Sequence, residues 1–326
     1  MTDPRPFLRG CAWPAVGDVP YPRADPVQAR RLPADTWLAA QLPAGVRLEM
    51  IGDATGIEIE YATQTDELGY RGDGAGRTFC VWRGGRQIDE QPVGLGHGAV
   101  RLDLAAGVDP AIVYLPEGMK PTIMSLRARD GELRPAPALP RWIAYGDSIT
   151  EGWSASSPAR SWVSIVGREC GLDAVNLGYA GAARGEIVVA EQIAALEVDV
   201  ISVAYGTNCW TTIPHSADMV RSITDAFLRI VRSAHPDVPI VVVSPITRPG
   251  AELTPNRLGA SQAELRAALE QAVLATPDPL VHLVGGRDLV DPELLRDGIH
   301  PDDAGHQLLA DTIGRELTHA IARLSL

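Results

Sequence analysis

The chain has 326 residues, 45% of them hydrophobic, and a formal net charge of −12, so it is long enough for two ordinary cores and offers no field that would draw in nucleic-acid phosphates or anionic lipid. Cys11, Cys80, Cys170 and Cys209 lack the paired spacing of a zinc site and the density of a secreted disulfide scaffold, and read as free thiols. The first ten residues contain no apolar signal-peptide core and no stretch reaches the length of a membrane span, so a cytoplasmic chain with neither a membrane nor a nucleic acid as partner is expected.

Residues 1–135 read as a β module. Residues 46–50 (Val-Arg-Leu-Glu-Met) and 57–61 (Ile-Glu-Ile-Glu-Tyr) alternate apolar and polar side chains, the pattern of half-buried strands. Further short strands are expected at 79–82, 100–104, 111–115 and 122–126, with a tight turn at Arg83-Gly84-Gly85-Arg86. Strands of this length separated by Gly and Pro favour a sandwich or jelly roll. The glycines of Gly72-Asp73-Gly74-Ala75-Gly76 and Gly94-Leu95-Gly96-His97-Gly98 read as turns of this module, since neither set lies between a parallel strand and a helix. Residues 136–140 (Ala-Pro-Ala-Leu-Pro) then predict a stiff linker, because proline fixes φ and cannot continue a hydrogen-bonded ladder.

Residues 141–326 change character. Short apolar strands are expected at 142–145, 174–177, 198–205, 240–244 and 281–284, and helical periodicity at 219–231, at 257–273 and through Leu309, Ile313 and Leu317. Five such units predict an α/β domain with a five-stranded parallel sheet covered by helices on both faces. Ligands of such sheets collect beyond the carboxyl ends of the strands. Three segments fall there: Gly146-Asp147-Ser148-Ile149, Gly206-Thr207-Asn208 and Asp297-Gly298-Ile299-His300-Pro301. Pro301 is placed to open the final helix at its first position.

These residues form a chemically sufficient set. A serine hydroxyl attacks a carbonyl only if a base removes its proton, and a neutral imidazole does so near pH 7. Ser148 is the candidate nucleophile, His300 the base and Asp297 the carboxylate that orients the ring. The Ser148 N–H, the Asn208 amide and a glycine N–H from the loop after the second parallel strand, Gly181 or Gly178, are candidate oxyanion donors. Any one segment alone has a plainer reading as a turn or a helix cap; their common position at strand ends joins them. His97, His215, His235, His282, His306 and His319 lack such company. There is no Gly-x-Ser-x-Gly elbow and no His-Glu-x-x-His pair, so neither an α/β-hydrolase arrangement nor a metal site is expected.

From about residue 141 onward the sequence resembles the SGNH/GDSL hydrolases. Ser148 stands in the first block, written Gly-Asp-Ser-Ile here, Gly206-Thr207-Asn208 in the third and Asp297-x-x-His300 in the fourth. In the looser second block, Asn176-Leu177-Gly178-Tyr179-Ala180-Gly181, the preceding Val-Asn favours Gly181 as the oxyanion glycine, with Gly178 as the alternative. The resemblance implies a flavodoxin-like three-layer α/β/α fold and ester chemistry with no metal or other cofactor. It also implies the two-part layout, similar to carbohydrate esterases with a jelly-roll module and to GDSL-type acyltransferases, with Tyr114-Leu115-Pro116-Glu117-Gly118 near the end of the module. Trp153 and Trp210 are candidate walls of the substrate pocket, packing at a domain interface being the competing role. Cys209, beside Asn208, reads as a packed thiol.

The leading expectation is hydrolysis of a small acylated sugar or natural product through an acyl-serine. The alternatives are transfer of the acyl group from an ester or thioester donor to a hydroxyl acceptor, and a non-catalytic glycan- or metabolite-binding protein. Residue types fix the reaction more tightly than the substrate or the oligomeric state.

Overall fold

A computed structural model describes residues 1–67 and 76–323; Gly72-Asp73-Gly74-Ala75 of the first glycine-rich segment lie outside the described residues. The N-terminal strands are β1 (Leu8–Arg9), β2 (Arg47–Gly52), β3 (Gly56–Thr63), β4 (Thr78–Arg83), β5 (Arg86–Pro92), β6 (Gly96–Asp103), β7 (Ala111–Tyr114), β8 (Thr122–Arg129) and β9 (Leu133–Pro135). They form a sandwich of two antiparallel sheets, one ordered β1-β2-β7-β4-β5 with β9 also on β2, the other β6-β3-β8. The alternation read at 57–61 is used directly. Ile57, Ile59 and Tyr61 face Leu48, Met50, Phe79 and Val81 in the core, while the outward Glu58 pairs with Arg101 and Arg127. The second glycine-rich segment does not end as a turn, because Gly96 and Gly98 already pair with β3 as part of β6.

The C-terminal part runs β10 (Arg141–Gly146), α2 (Ser148–Glu151), α3 (Trp162–Cys170), β11 (Asp173–Gly178), α4 (Ile187–Ala194), β12 (Val200–Ala204), α5 (Ala217–Ala234), β13 (Ile240–Val243), α6 (Gln262–Leu274), β14 (Val281–Val284) and α7 (Asp303–Ala322). All five strands are parallel, in the order β11-β10-β12-β13-β14. This is a flavodoxin-like three-layer arrangement, with its switch point between the first and third strands, β10 and β12. Both faces of β10 are buried: Ile143 and Tyr145 join one core with residues of α4, α5 and α6, whereas Trp142 and Ala144 join the other with residues of α3 and α7. Strands buried on both sides read as short apolar runs, which is how they stood out in the sequence.

The N-terminal segment corrects the expected division. A short helix, α1 (Ala34–Ala40), and the chain around it belong to the β module by sequence position, yet Ala24, Leu32 and Ala40 are buried in the α/β core, with Ala12, Trp13, Trp37 and Ala39 packed on it. Residues 12–40 thus form a strap that lies across the face carrying α4, α5 and α6 at 12–13 and 24–40, while Tyr21 between them is buried in the sandwich core. Among the described residues no helix is long and apolar enough to cross a membrane.

Candidate active site

Ser148 is the first residue of α2, immediately beyond β10. Asp147 caps the turn by accepting the Ile149 N–H at 3.0 Å; burial raises the pKa of its carboxyl, against the pull of that bond and of the Thr207 side chain. As the opening residue of α2, Ser148 has its N–H outside the helical ladder. Its Oγ lies 2.8 Å from His300 Nε2.

His300 is held from the other side. Asp297 Oδ2 stands 2.7 Å from His300 Nδ1, and Asp297 Oδ1 accepts the Ile299 and His300 backbone N–H groups at 3.0 and 2.9 Å. Burial pushes the Asp297 carboxyl up, but the hydrogen bonds from the His300 ring and backbone outweigh it and hold its pKa below the ordinary carboxylate value. With Nδ1–H donated to a carboxylate, Nε2 carries the lone pair that faces the serine. The expected role of Pro301 needs correction. Pro301 bridges back to Leu295, and it is Asp302 that caps α7 by accepting the Gly305 N–H at 2.9 Å. The turn closed by that bridge, with Arg296 N–H donating to His300 O at 3.0 Å, fixes the imidazole ahead of the helix.

The remaining sequence-predicted residues surround this pair. Asn208 sits on a single 3₁₀ turn, Thr207–Trp210, after β12; the turn needs Gly206, whose φ of +125° is closed to ordinary side chains. Asn208 Nδ2 donates to Ala182 O at 2.6 Å, which fixes the amide plane and leaves its second N–H to point elsewhere. The second loop distinguishes its two glycines. Gly178 N–H is already donated to Asn176 Oδ1 at 2.8 Å, and a Cβ there would lie 2.2 Å from Glu151 N, so this glycine is a packing contact. Gly181 has open space around it, and its N–H has no acceptor among the described residues. Trp153 lies beside His300, ring centroids 5.2 Å apart and planes tilted by 34°, and its Nε1 donates to Glu151 at 2.9 Å. Trp210 leans on the α/β core with Nε1 donated to Thr254 O at 2.6 Å. Cys209 is buried, and burial pushes its thiol pKa up, so it is no thiolate.

Sequence reading missed the residues that hold the second loop. Arg23 of the strap is buried and donates to Ala39 O at 2.8 Å, Asn176 O at 3.2 Å and the Gly178 carbonyl, and it pairs with the buried Glu151 at 2.9 Å. Glu151 in turn accepts the Ala180 N–H at 3.1 Å. Asp35 of α1 pairs with Arg184 at 2.6 Å, and Arg184 donates to Gly181 O at 2.8 Å. His306 is buried on α7; its Nδ1 accepts the Trp162 N–H at 3.3 Å and its Nε2–H donates to Trp153 O at 3.0 Å, tying the loop after Ser148 to the helix after His300. A cavity of about 300 Å³ lies elsewhere, between the β module and α3, lined by Trp82, Tyr114 and Arg168 among others.

The GDSL-like lipase/acylhydrolase family model matches residues 144–308. No curated protein matches the chain in sequence. Among solved structures, a salicylyl-acyltransferase from a tetracycline biosynthetic pathway is similar at 23% identity and a TM-score of 0.82, covering 97% of this chain and 94% of that one. A candidate GDSL-like lipase from Bacteroides ovatus is similar at 21% identity and 0.78, covering 97% and 96%. A family two carbohydrate esterase from Clostridium thermocellum, in complex with cellohexaose, is similar at 16% identity and 0.64, covering 85% and 92%. At these identities the likeness is one of fold, and in the first two it spans both parts of the chain.

Proposed function

We propose, from the premise that this chain belongs to the GDSL-like lipase/acylhydrolase family and is an SGNH-type enzyme, that it hydrolyses a small acylated sugar or natural product through an acyl-enzyme on Ser148. The observation that carries the reading is the continuous line Ser148 Oγ, His300 Nε2, His300 Nδ1, Asp297 Oδ2, with links of 2.8 and 2.7 Å. His300 takes the hydroxyl proton as Oγ attacks the carbonyl carbon, and Asp297 stabilises the imidazolium. The oxyanion is met by the N–H groups of Ser148 and Gly181 and the Asn208 amide, donors fixed before the reaction and therefore costing no reorganisation. His300 then returns the proton to the departing alcohol, and water repeats the sequence to release the acid.

Transfer of the acyl group to a hydroxyl acceptor is the second reading. Two observations support it: the tryptophans Trp153 and Trp210 are half-buried beside His300 and two residues beyond Asn208, and one of the two full-length likenesses is to a protein described as an acyltransferase, the other being to a GDSL-like lipase. Both readings use one acyl-serine and differ in what discharges it. The test is release of p-nitrophenol from short-chain esters, with intact-mass detection of an acyl adduct. Ser148→Ala and His300→Ala are each expected to reduce turnover to background; undiminished turnover in Ser148→Ala would remove the serine mechanism. Adding a panel of alcohols then separates the two fates. Water as the acceptor in every case supports hydrolysis, and diversion of acyl groups to one class of alcohol supports transfer.

A further inference from the structure

Arg248 follows β13, on the edge of the sheet from which the loops bearing Ser148 and Asn208 also leave. Its guanidinium carbon lies 5.0 Å from the centroid of the Trp210 ring, and Trp210 is two residues beyond Asn208. The loop that carries it is rigid. Arg248 O accepts the Ala251 and Glu252 N–H groups at 2.9 Å, and the buried Arg266 of α6 bonds Pro245 O at 2.7 Å while gripping Glu252 with two bonds of 2.7 and 2.8 Å. Arg266 is therefore satisfied, but Arg248 is not. Among the described residues no carboxylate pairs with Arg248, and its buried Nη1 has no hydrogen-bond partner. A buried donor left unpaired is unfavourable, a cost that a bound acceptor removes. Burial lowers the Arg248 pKa while the charges of Asp297 and Asp147 pull it back up, so the guanidinium feels both carboxylates that flank the Ser148–His300 pair without bonding either.

We propose that Arg248, stacked on Trp210, is a specificity residue that binds a carboxylate carried by the substrate. The proposal deepens the acyl-serine reading and rests on it for the link to turnover. A planar guanidinium presents parallel N–H groups that match a carboxylate edge, and the Trp210 ring beneath it limits where the fork can swing. An aromatic acid suits the position best, since its ring extends the apolar face of Trp210 while its carboxylate meets the guanidinium.

The test has a binding arm and a kinetic arm, both on the full chain. Benzoate and its neutral isostere benzamide are titrated calorimetrically into the wild type, Arg248→Gln and Arg248→Lys. Benzoate is expected to bind the wild type about 10- to 100-fold more tightly than benzamide, the range of one charge-assisted pair. Arg248→Gln should bring that ratio close to one, and Arg248→Lys, which keeps the charge but loses the fork, should fall between. If Arg248→Gln fails to fold, a several-fold loss of preference in Arg248→Lys decides the matter. Equal affinities in the wild type, or a preference that survives both substitutions, would overturn the proposal. In the kinetic arm, kcat/KM for p-nitrophenyl hemiadipate against p-nitrophenyl hexanoate reports a carboxylate on the acyl side. The ratio for 4-acetoxybenzoate against 4-acetoxybenzamide reports one on the alcohol side. One of the two ratios should exceed one in the wild type and collapse in Arg248→Gln; no charge preference in either pair would overturn the specificity role. Failure of the underlying reading looks different: Ser148→Ala would still hydrolyse p-nitrophenyl hexanoate, while the benzoate titration stood unchanged.

Discussion

The Asn208 amide is held by Ala182 O at 2.6 Å, and the oxyanion role proposed for it requires the second N–H to face the substrate oxygen. Asn208→Ala is expected to lower kcat by about 10²–10³, or about 2.7–4 kcal/mol, with a much smaller change in KM; a loss expressed mainly in KM would show that the amide binds the ground state instead. His306 provides a second case, in stability. Burial drives its pKa down from 6.5 to about 4, and a proton on Nδ1 would face the Trp162 N–H. The unfolded chain binds that proton more readily, so the stability contributed by neutral His306 is complete above pH 6.5 and is lost as the pH falls towards 4. The span amounts to about 3 kcal/mol. Urea midpoints measured between pH 7.5 and 4 should fall more steeply in the wild type than in His306→Gln, which keeps an acceptor and a donor without titrating; parallel curves would remove His306 as the cause.

The elements that carry the reacting groups are locked together by contacts between distant segments. Arg23 crosses from the strap to Glu151 on α2 and to the carbonyl ending β11. Removing one partner of a buried ion pair leaves the other charge unsatisfied, so Arg23→Met is expected to cost about 3–5 kcal/mol and to lower Tm markedly. Arg23→Met with Glu151→Leu should recover part of that loss; no recovery would place the cost in the backbone carbonyls Arg23 also binds. Such contacts explain what the sequence concealed. The strands of the parallel sheet are legible because each is an apolar run buried on both faces, and Ser148, Asn208 and His300 because each follows such a run. Arg23, Asp35 and Arg184 obey no period, since the partners that Arg23 finds in the α/β domain lie 128 to 155 positions away and the Asp35–Arg184 pair spans 149. β5 was missed for a related reason. Its sequence Arg-Gln-Ile-Asp-Glu-Gln-Pro is polar because it forms an exposed sheet edge, and only its pairing with β4 makes it a strand. Pro301 stands two residues ahead of the first position of α7, because a β-bridge and an aspartate cap divide the residues between His300 and the helix.

At the scale of the molecule, the sandwich and the α/β layers are sequential on paper and interleaved in space. The proline-rich stretch at 136–140 marks where strand character changes, but the chain before it has already contributed Ala24, Leu32 and Ala40 to the second core and Arg23 and Asp35 to the loop that presents Gly181. A protein beginning at residue 136 is therefore expected to lack a cooperative thermal transition and to resist labelling of Ser148 by a fluorophosphonate. A version that keeps residues 12–45, joined by a flexible linker to residue 136, should regain both; equal behaviour of the two truncations would show the strap to be dispensable. The strap also constrains how such a protein can be rebuilt. Swapping one β module for another at the obvious proline junction, as a cassette, would discard the brace of the Gly181 loop along with the sandwich, so a working chimera needs its crossover placed on both sides of the sandwich, and ancestry by simple shuffling of a front half would have had to carry the brace along.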